Sequence, residues 1–225
     1  MSAAKIKSRR QFLLRSSALI PVMGLSAMVQ KVLAKGNDPQ IQGIRKLSGD
    51  VKLNGQAAAV GNLVRAGDTI TTGKGAEVIY VMGQDAYLQR ESSTITFAKD
   101  ALRVITGKLL AVFGKGNKQI NVPTATIGIR GTGCYIEAEG SANKARTYFC
   151  LCYGTADITP SATPQRPETI TTRHHDSPRW IHNDPTMTNM MVDAQVINHT
   201  DVELTLLEAL VGRVPPFGDG GMSKY

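Results

Sequence analysis

The sequence predicts an all-β domain, either a sandwich or a short coiled stack of many short strands, with one C-terminal amphipathic helix. From Val51 to Ile158, short runs of alternating apolar residues are separated by breaks rich in glycine and asparagine. A period of two is that of strands with one buried face. Many short strands at such spacing are typical of β-sandwiches and related architectures.

Composition divides the 225 residues into four segments. Residues 1–34 are a basic and apolar leader, and residues 35–47, rich in Gly, Asn, Asp and Gln, are expected to form a linker running into the first strand. Residues 48–160 form the predicted β domain. Residues 161–225 are expected to return to that domain, with a histidine-rich loop and the C-terminal helix.

The leader resembles a twin-arginine signal peptide. Residues 8–14 read Ser-Arg-Arg-Gln-Phe-Leu-Leu, and an apolar run follows from Ala18 to Val29. This run is too short for a membrane-spanning helix, which needs about 20 residues. The segment therefore predicts periplasmic export of a folded chain by the twin-arginine route, with no membrane span in the mature chain.

The positive charge lies mainly in this leader. The formal net charge is +8, and residues 1–34 hold six lysines and arginines with no acidic residue. Without those six residues the charge is +2. No dense basic patch with interleaved aromatics remains, which argues against nucleic-acid binding.

Turn signals mark the boundaries between the strands of the predicted domain. Asn54-Gly55 predicts a two-residue hairpin. Ala76–Met82 places alternate residues on one face, and the pattern recurs at Ser93–Phe97 and Leu102–Thr106. Asp68, in a Gly-Asp turn, is expected to bond nearby backbone amides and to have a structural role.

The centre of the chain is a pair of strands joined through glycines, Val122–Glu137 and Arg146–Ile158. With the upstream repeats, this region resembles the FecR-type periplasmic domain over about residues 48–160. The matching features are Gly61-x-x-Val64-x-x-Gly67-Asp68-x-Ile70-x-Thr72-Gly73, then Ile129-Arg-Gly-Thr132, then Gly154-x-Ala156-x-Ile158.

The FecR-type resemblance implies a β fold and a binding or sensing role. Members of that family relay iron–siderophore signals from an outer-membrane receptor to a cytoplasmic sigma factor. In this chain the signal-like segment lies close to Met1 and leaves no room for a preceding cytoplasmic region. Only the periplasmic domain of the family is therefore expected to carry over.

The resemblance also implies that Phe149 and Leu151 point into the core, so that Cys150 and Cys152 point to the opposite face. Cys134, in phase with Ile136, is expected to be an unreactive core thiol. Residues two apart on a strand lie about 6.6 Å apart between Cα atoms, so both thiolates could reach one soft metal ion. Zinc or copper would suit such a site.

Candidate further ligands come from the histidine-rich loop: His174, His175 and His182. In an extended segment, His174 and His175 would face opposite ways, so at most one is expected to join a site. Two alternatives remain for the cysteines: a disulfide, redox-active or not, which in another strand register could join Cys134 to Cys150 or Cys152, and plain structural thiols. Trp180 is expected to anchor the return segment on the sheet.

The C-terminal helix has both end signals. Thr200-Asp-Val-Glu203 has the form of a capping box, and Gly212 stands where a C-terminal cap belongs. Leucines at helical spacing between them predict a face that packs on the sheet.

The sequence as a whole predicts a non-enzymatic, exported binding or sensing module with an envelope protein as partner. No serine–histidine–carboxylate spacing and no Gly-x-Ser-x-Gly motif stands out. Two alternatives stay open: a periplasmic metal-dependent redox or electron-transfer protein, and a structural interaction domain of the envelope.

Overall fold

The computed structural model describes residues 41–184 and 186–217, and these form two β-sheets and one α-helix. The predicted all-β class with one C-terminal helix is confirmed. The predicted signal peptide, residues 1–34, lies outside the described residues. Within them, no helix has the length and apolar character needed to cross a bilayer.

Fifteen strands precede the helix. They are β1 (Gly43–Ser48), β2 (Val51–Leu53), β3 (Gln56–Ala57), β4 (Thr69–Thr72), β5 (Glu77–Met82), β6 (Asp85–Gln89), β7 (Ser93–Phe97), β8 (Ala101–Val112), β9 (Asn117–Val122), β10 (Ala125–Arg130), β11 (Gly133–Glu139), β12 (Arg146–Pro160), β13 (Glu168–Thr172), β14 (Arg179–His182) and β15 (Met191–Asp193), followed by α1 (Asp201–Leu210).

Two long strands, β8 and β12, pass from one sheet to the other. The first sheet has the order β1-β5-β6-β8-β11-β12-β14-β15. The second has the order β3-β2-β4-β7-β8-β9-β10-β12-β13. Each crossing strand changes sheets at a glycine with positive φ, Gly107 with φ 93° in β8 and Gly154 with φ 100° in β12. Only glycine adopts such angles readily, so the sequence fixes where the strands bend.

The main core lies between the two sheets. Apolar residues from both sheets form one cluster, in which Phe149, Leu151, Ala156 and Ile158 of β12 all take part. The inward positions implied by the FecR-type pattern are therefore those observed. Their phase changes by one residue at Gly154, where β12 leaves the first sheet.

A second apolar layer covers the outer face of the first sheet. Ile79 and Leu110 of the sheet pack there with Leu204 and Leu207 of α1. The predicted capping box is present, with Thr200 Oγ1 accepting from the backbone amide of Glu203. The helix thus packs on the sheet, as predicted.

Several local predictions are confirmed. Asn54 and Gly55, with φ of 53° and 80°, form the turn between β2 and β3. The Asp68 carboxylate accepts from the backbone amide of Arg65 and from the Asn54 side chain, each at 2.7 Å, which is the structural role expected. Strand β1 begins at Gly43, so it occupies the last part of the segment expected to be a linker, residues 35–47.

Residues beyond 160 extend both sheets. Strand β13 joins the second sheet, and β14 and β15 join the first. The Trp180 ring in β14 packs edge-on against Tyr148 at 5.3 Å between ring centroids, and the Arg146 guanidinium lies 4.6 Å from its centre. Trp180 therefore anchors the return segment on the first sheet, as expected.

Candidate functional site

The three cysteines lie on opposite faces of the first sheet. Cys134 belongs to the core between the sheets, whereas Cys150 and Cys152 lie in the layer under α1. All three are fully buried and none forms a disulfide. The facing implied by the FecR-type resemblance is the one observed, but the Cys150/Cys152 face is a second interior rather than a surface.

His175 reaches the cysteines from the turn that follows β13. Its backbone amide donates to the carbonyl of Cys152 at 3.0 Å, which fixes the turn against β12. Its φ of 55° lies in the left-handed region, so the chain is not extended at this residue. As a result, its Nδ1 lies 3.4 Å from the Cys150 sulfur.

His199 completes the group from the residue just before the Thr200 cap of α1. Its Nε2 lies 3.1 Å from Nδ1 of His175, and its ring stacks on Tyr135 at 4.6 Å between centroids. We call Cys150, Cys152, His175 and His199 the Cys–His cluster. One donor atom from each lies within 4.8 Å of every other, and all four residues are buried.

Hydrogen bonds outside the cluster orient both imidazoles. His199 Nδ1 is 2.6 Å from the carbonyl oxygen of Ile197, which can only accept, so this nitrogen carries the proton. His175 Nε2 likewise donates to the Asp201 carboxylate at 3.0 Å. In the neutral rings, the lone pairs of His175 Nδ1 and His199 Nε2 then face each other and the sulfurs. Metal-binding histidines commonly have such outer partners.

The segment that carries His199 is held by buried groups of the first sheet. Glu137 accepts from the Tyr135 hydroxyl at 2.6 Å and from the Asn198 side-chain amide at 2.7 Å. The Tyr148 hydroxyl donates to the carbonyl of Gln195 at 2.9 Å. These bonds place the approach to α1, and therefore His199, against β12.

Electrostatics favours a thiolate at Cys150. Its pKa is held well below the ordinary 9.0, first by hydrogen bonding with Cys152, which outweighs burial, and then by His175 and His199. Burial raises the pKa of Cys152, and the nearby Cys150 raises it further. Burial is the largest influence on His175 and would lower its pKa, but Cys150 and Asp201 together raise it above 6.5.

The spacing of the donor atoms fits a tetrahedral ion. With bonds of about 2.0 Å to nitrogen and about 2.3 Å to sulfur, such an ion separates its ligands by about 3.3 Å between nitrogens and about 3.5 Å between nitrogen and sulfur. The observed separations are 3.1 Å and 3.4 Å. These two separations match such an ion, and all four donor atoms lie within 4.8 Å of one another, so the residues are placed to converge on a soft or borderline ion.

Two predicted ligands lie outside the Cys–His cluster. His174 Nε2 contacts the Asp201 carboxylate at 2.9 Å, beside His175. The segment is not extended at this point, because His175 has a positive φ, and both rings reach Asp201. Of the two histidines, only His175 joins Cys150 and Cys152, in agreement with the expectation that at most one would do so. His182 is in β14, where it pairs with Arg146 of β12, and belongs to neither group of ligand-type residues found among the described residues.

Sequence reasoning missed His199 and Asp201. The only signal for them was the capping box, which places both residues at the start of a helix that is expected to pack on the sheet. The capping box does not predict which part of the sheet the start of the helix contacts.

The fold and site together define an all-β, two-sheet protein with a buried thiolate–imidazole cluster. No protein-family model and no curated protein matches the chain. Among solved structures, a candidate anti-sigma factor from Parabacteroides distasonis ATCC 8503 superposes with a TM-score of 0.45 at 8% identity, over 56% of this chain and 59% of that chain. A second crystal structure of the same description gives the same values.

Proposed function

We propose that this chain is an exported, non-enzymatic binding or sensing module of the FecR type that holds one metal ion, zinc or copper, in the Cys–His cluster. The observation that carries the proposal is the convergence of four buried donor atoms within 4.8 Å. Their S₂N₂ set suits zinc, and cuprous copper also favours thiolate and imidazole ligands.

The ligands come from three separate segments of the chain. Cys150 and Cys152 belong to β12, His175 to the turn after β13, and His199 to the approach to α1. An ion bound by all four would tie the helix layer to the first sheet. Binding or loss of the metal ion would thereby change how α1 is held on the sheet. A sensing module requires such a structural response to its ligand.

Burial supports binding over catalysis. The Cys150–His175–Asp201 arrangement has the connectivity of a nucleophile, base and orienting acid, and the lowered pKa of Cys150 would suit a nucleophile. Cys150 is fully buried, however, and His175 is 5% exposed. A substrate would have to displace the helix layer to reach the sulfur, whereas a metal ion is small enough to be enclosed when that layer packs on the sheet during folding.

The test is metal content by mass spectrometry on protein purified from the periplasm. We expect about one equivalent of metal in the native protein and none in Cys150→Ser/Cys152→Ser. Cys134→Ala is the matched control, because it removes a buried thiol from the other face and should keep the metal. Full occupancy in the double variant would refute the site, and the identity of the ion distinguishes zinc from copper.

Asp201 forms the outer shell of the Cys–His cluster, because it contacts His175 from outside the cluster, and a second variant tests its role. Asp201→Asn keeps the shape of the side chain but removes the charge that orients His175. We expect metal affinity to fall about 10- to 100-fold, the usual effect of losing such a partner. Unchanged affinity, measured by competition with a chromogenic chelator, would mean that the Asp201 charge is not needed to hold His175 as a ligand.

A copper-loaded cluster favours the alternative of a redox or electron-transfer protein, since thiolate and imidazole ligands also suit copper. Reversible one-electron oxidation of copper-loaded protein in voltammetry would support it. An inert zinc form would support the sensing role.

Export by the twin-arginine route is part of the proposal and rests on residues 8–14. Arg9→Lys/Arg10→Lys should leave the protein in the cytoplasmic fraction. Periplasmic recovery of that variant would contradict the route.

The expected envelope partner can be identified by cross-linking the native protein in intact cells.

A further inference from the structure

A cavity of about 570 Å³ opens beside the C-terminal end of α1, separate from the Cys–His cluster. Aromatic side chains form much of its wall, including Phe113, Tyr153 and Phe217. Val214 adds an apolar side and is 69% exposed. Cavities of this size with apolar walls are typical of sites for small organic molecules.

The cavity also carries uncompensated positive charge. Lys115, Arg173 and Arg213 line it, with Glu208 as its one acidic lining residue. Glu208 is already engaged, because it pairs with Arg213 at 2.6 Å and accepts from the Tyr153 hydroxyl. Within residues 41–184 and 186–217, neither Lys115 nor Arg173 forms an ion pair with a carboxylate.

Arg213 contributes a further donor. Its Nε binds Glu208 and its Nη1 donates to the carbonyl of Gln84 at 2.7 Å. Its Nη2 is buried and has no hydrogen-bond partner among the described residues. A buried donor without a partner is costly, and an anionic oxygen would satisfy it.

We propose that this cavity binds a small organic anion with an apolar body. The aromatic wall would hold the apolar part, while Lys115 and Arg173 would attract the acidic group. Unlike the proposed metal site, this site uses no cysteine. His174 lines the cavity and also contacts Asp201, so a bound anion would lie next to the outer shell of the Cys–His cluster.

The experiment uses two fluorescent probes of similar shape. The anionic probe is 8-anilinonaphthalene-1-sulfonate, and the neutral one is N-phenyl-1-naphthylamine, which lacks the sulfonate. We expect saturable binding of the anion, displaced by decanoate. In Lys115→Gln/Arg173→Gln its affinity should fall about tenfold, as expected for the loss of charge-assisted contacts, while the neutral probe should be unaffected.

Controls separate this site from general effects of charge and folding. Lys74→Gln/Arg103→Gln removes the same charge from exposed positions away from the cavity and should leave anion binding unchanged. Phe217→Ala should weaken both probes. An equal loss of affinity for the anionic probe in both charge variants would overturn the proposal. The proposal would also fail if the anionic probe bound only after removal of residues 218–225, because the chain's own end would then fill the cavity.

Discussion

Two buried layers flank the first sheet, and they differ in chemistry. The layer between the sheets is an apolar core in which Cys134 is one small side chain among aliphatic and aromatic ones. The layer under α1 combines leucines with Cys150, His175 and His199. Strand β12 supplies both layers, because successive side chains point to opposite faces.

The cysteines show what this difference does. Burial raises the pKa of Cys134 far above its ordinary 9.0, whereas hydrogen-bonding neighbours hold the pKa of Cys150 well below it. Both side chains are fully buried. Burial alone therefore does not decide whether a thiol is inert or able to bind metal; the groups within hydrogen-bonding distance decide it.

Buried carboxylates of the outer layer are accompanied by partners. Asp201 accepts from two histidines, and Glu208 pairs with Arg213. Unpaired buried charges would be strongly destabilising. Burying polar and charged side chains costs free energy even when they are paired. Their presence in this layer therefore favours a functional role for them.

The largest expected effect comes from breaking the apolar layer. Phe149→Ala should lower the free energy of unfolding by about 3–5 kcal/mol, the usual cost of emptying a buried aromatic site. Urea unfolding measures it. The metal content of the folded fraction should be unchanged, and its loss would show that the two layers are coupled through β12.

Metal buffering tests the outer layer alone. With free zinc held at 100 times the dissociation constant, the native protein should gain about 2.7 kcal/mol in unfolding free energy over the chelated protein. Cys134→Ala should show the same gain, whereas Cys150→Ser/Cys152→Ser should show none. An equal gain in the double variant would place the bound zinc elsewhere.

The contrast between the thiols can be read by titration of the metal-free protein. Because folding lowers the pKa of Cys150 and raises that of Cys134, one thiolate per chain should remain ionised at pH values well below 9.0. Ultraviolet thiolate absorbance should vanish in Cys150→Ser and persist in Cys134→Ala. The reverse pattern would invert the assignment of the two layers.

The smallest effect concerns the start of α1. Thr200→Ala removes the hydroxyl that accepts from the Glu203 amide and should cost about 1 kcal/mol. Thr200→Ser keeps the hydroxyl and should cost less. A loss of metal affinity in Thr200→Ala but not in Thr200→Ser would show that the cap also positions His199.

Much of this architecture was predictable because its causes are local. Alternation along β11 and β12, with the inward positions implied by the FecR-type resemblance, assigned the faces of Cys134, Cys150 and Cys152, and the capping box gave the start of α1. Those features depend on backbone periodicity and on hydrogen bonds between near neighbours. They do not depend on how distant segments meet.

The sequence by itself therefore determined the β class, the helix and its ends, and the placement of Cys150 and Cys152 on the same face of their strand. Only the tertiary structure decided that this face is buried, that His199 and Asp201 reach it, and that His182 does not. The reason is that ligands from β12, the turn after β13 and the approach to α1 meet through the packing of the helix on the sheet and the left-handed backbone at His175. Neither leaves a periodic signal in the chain.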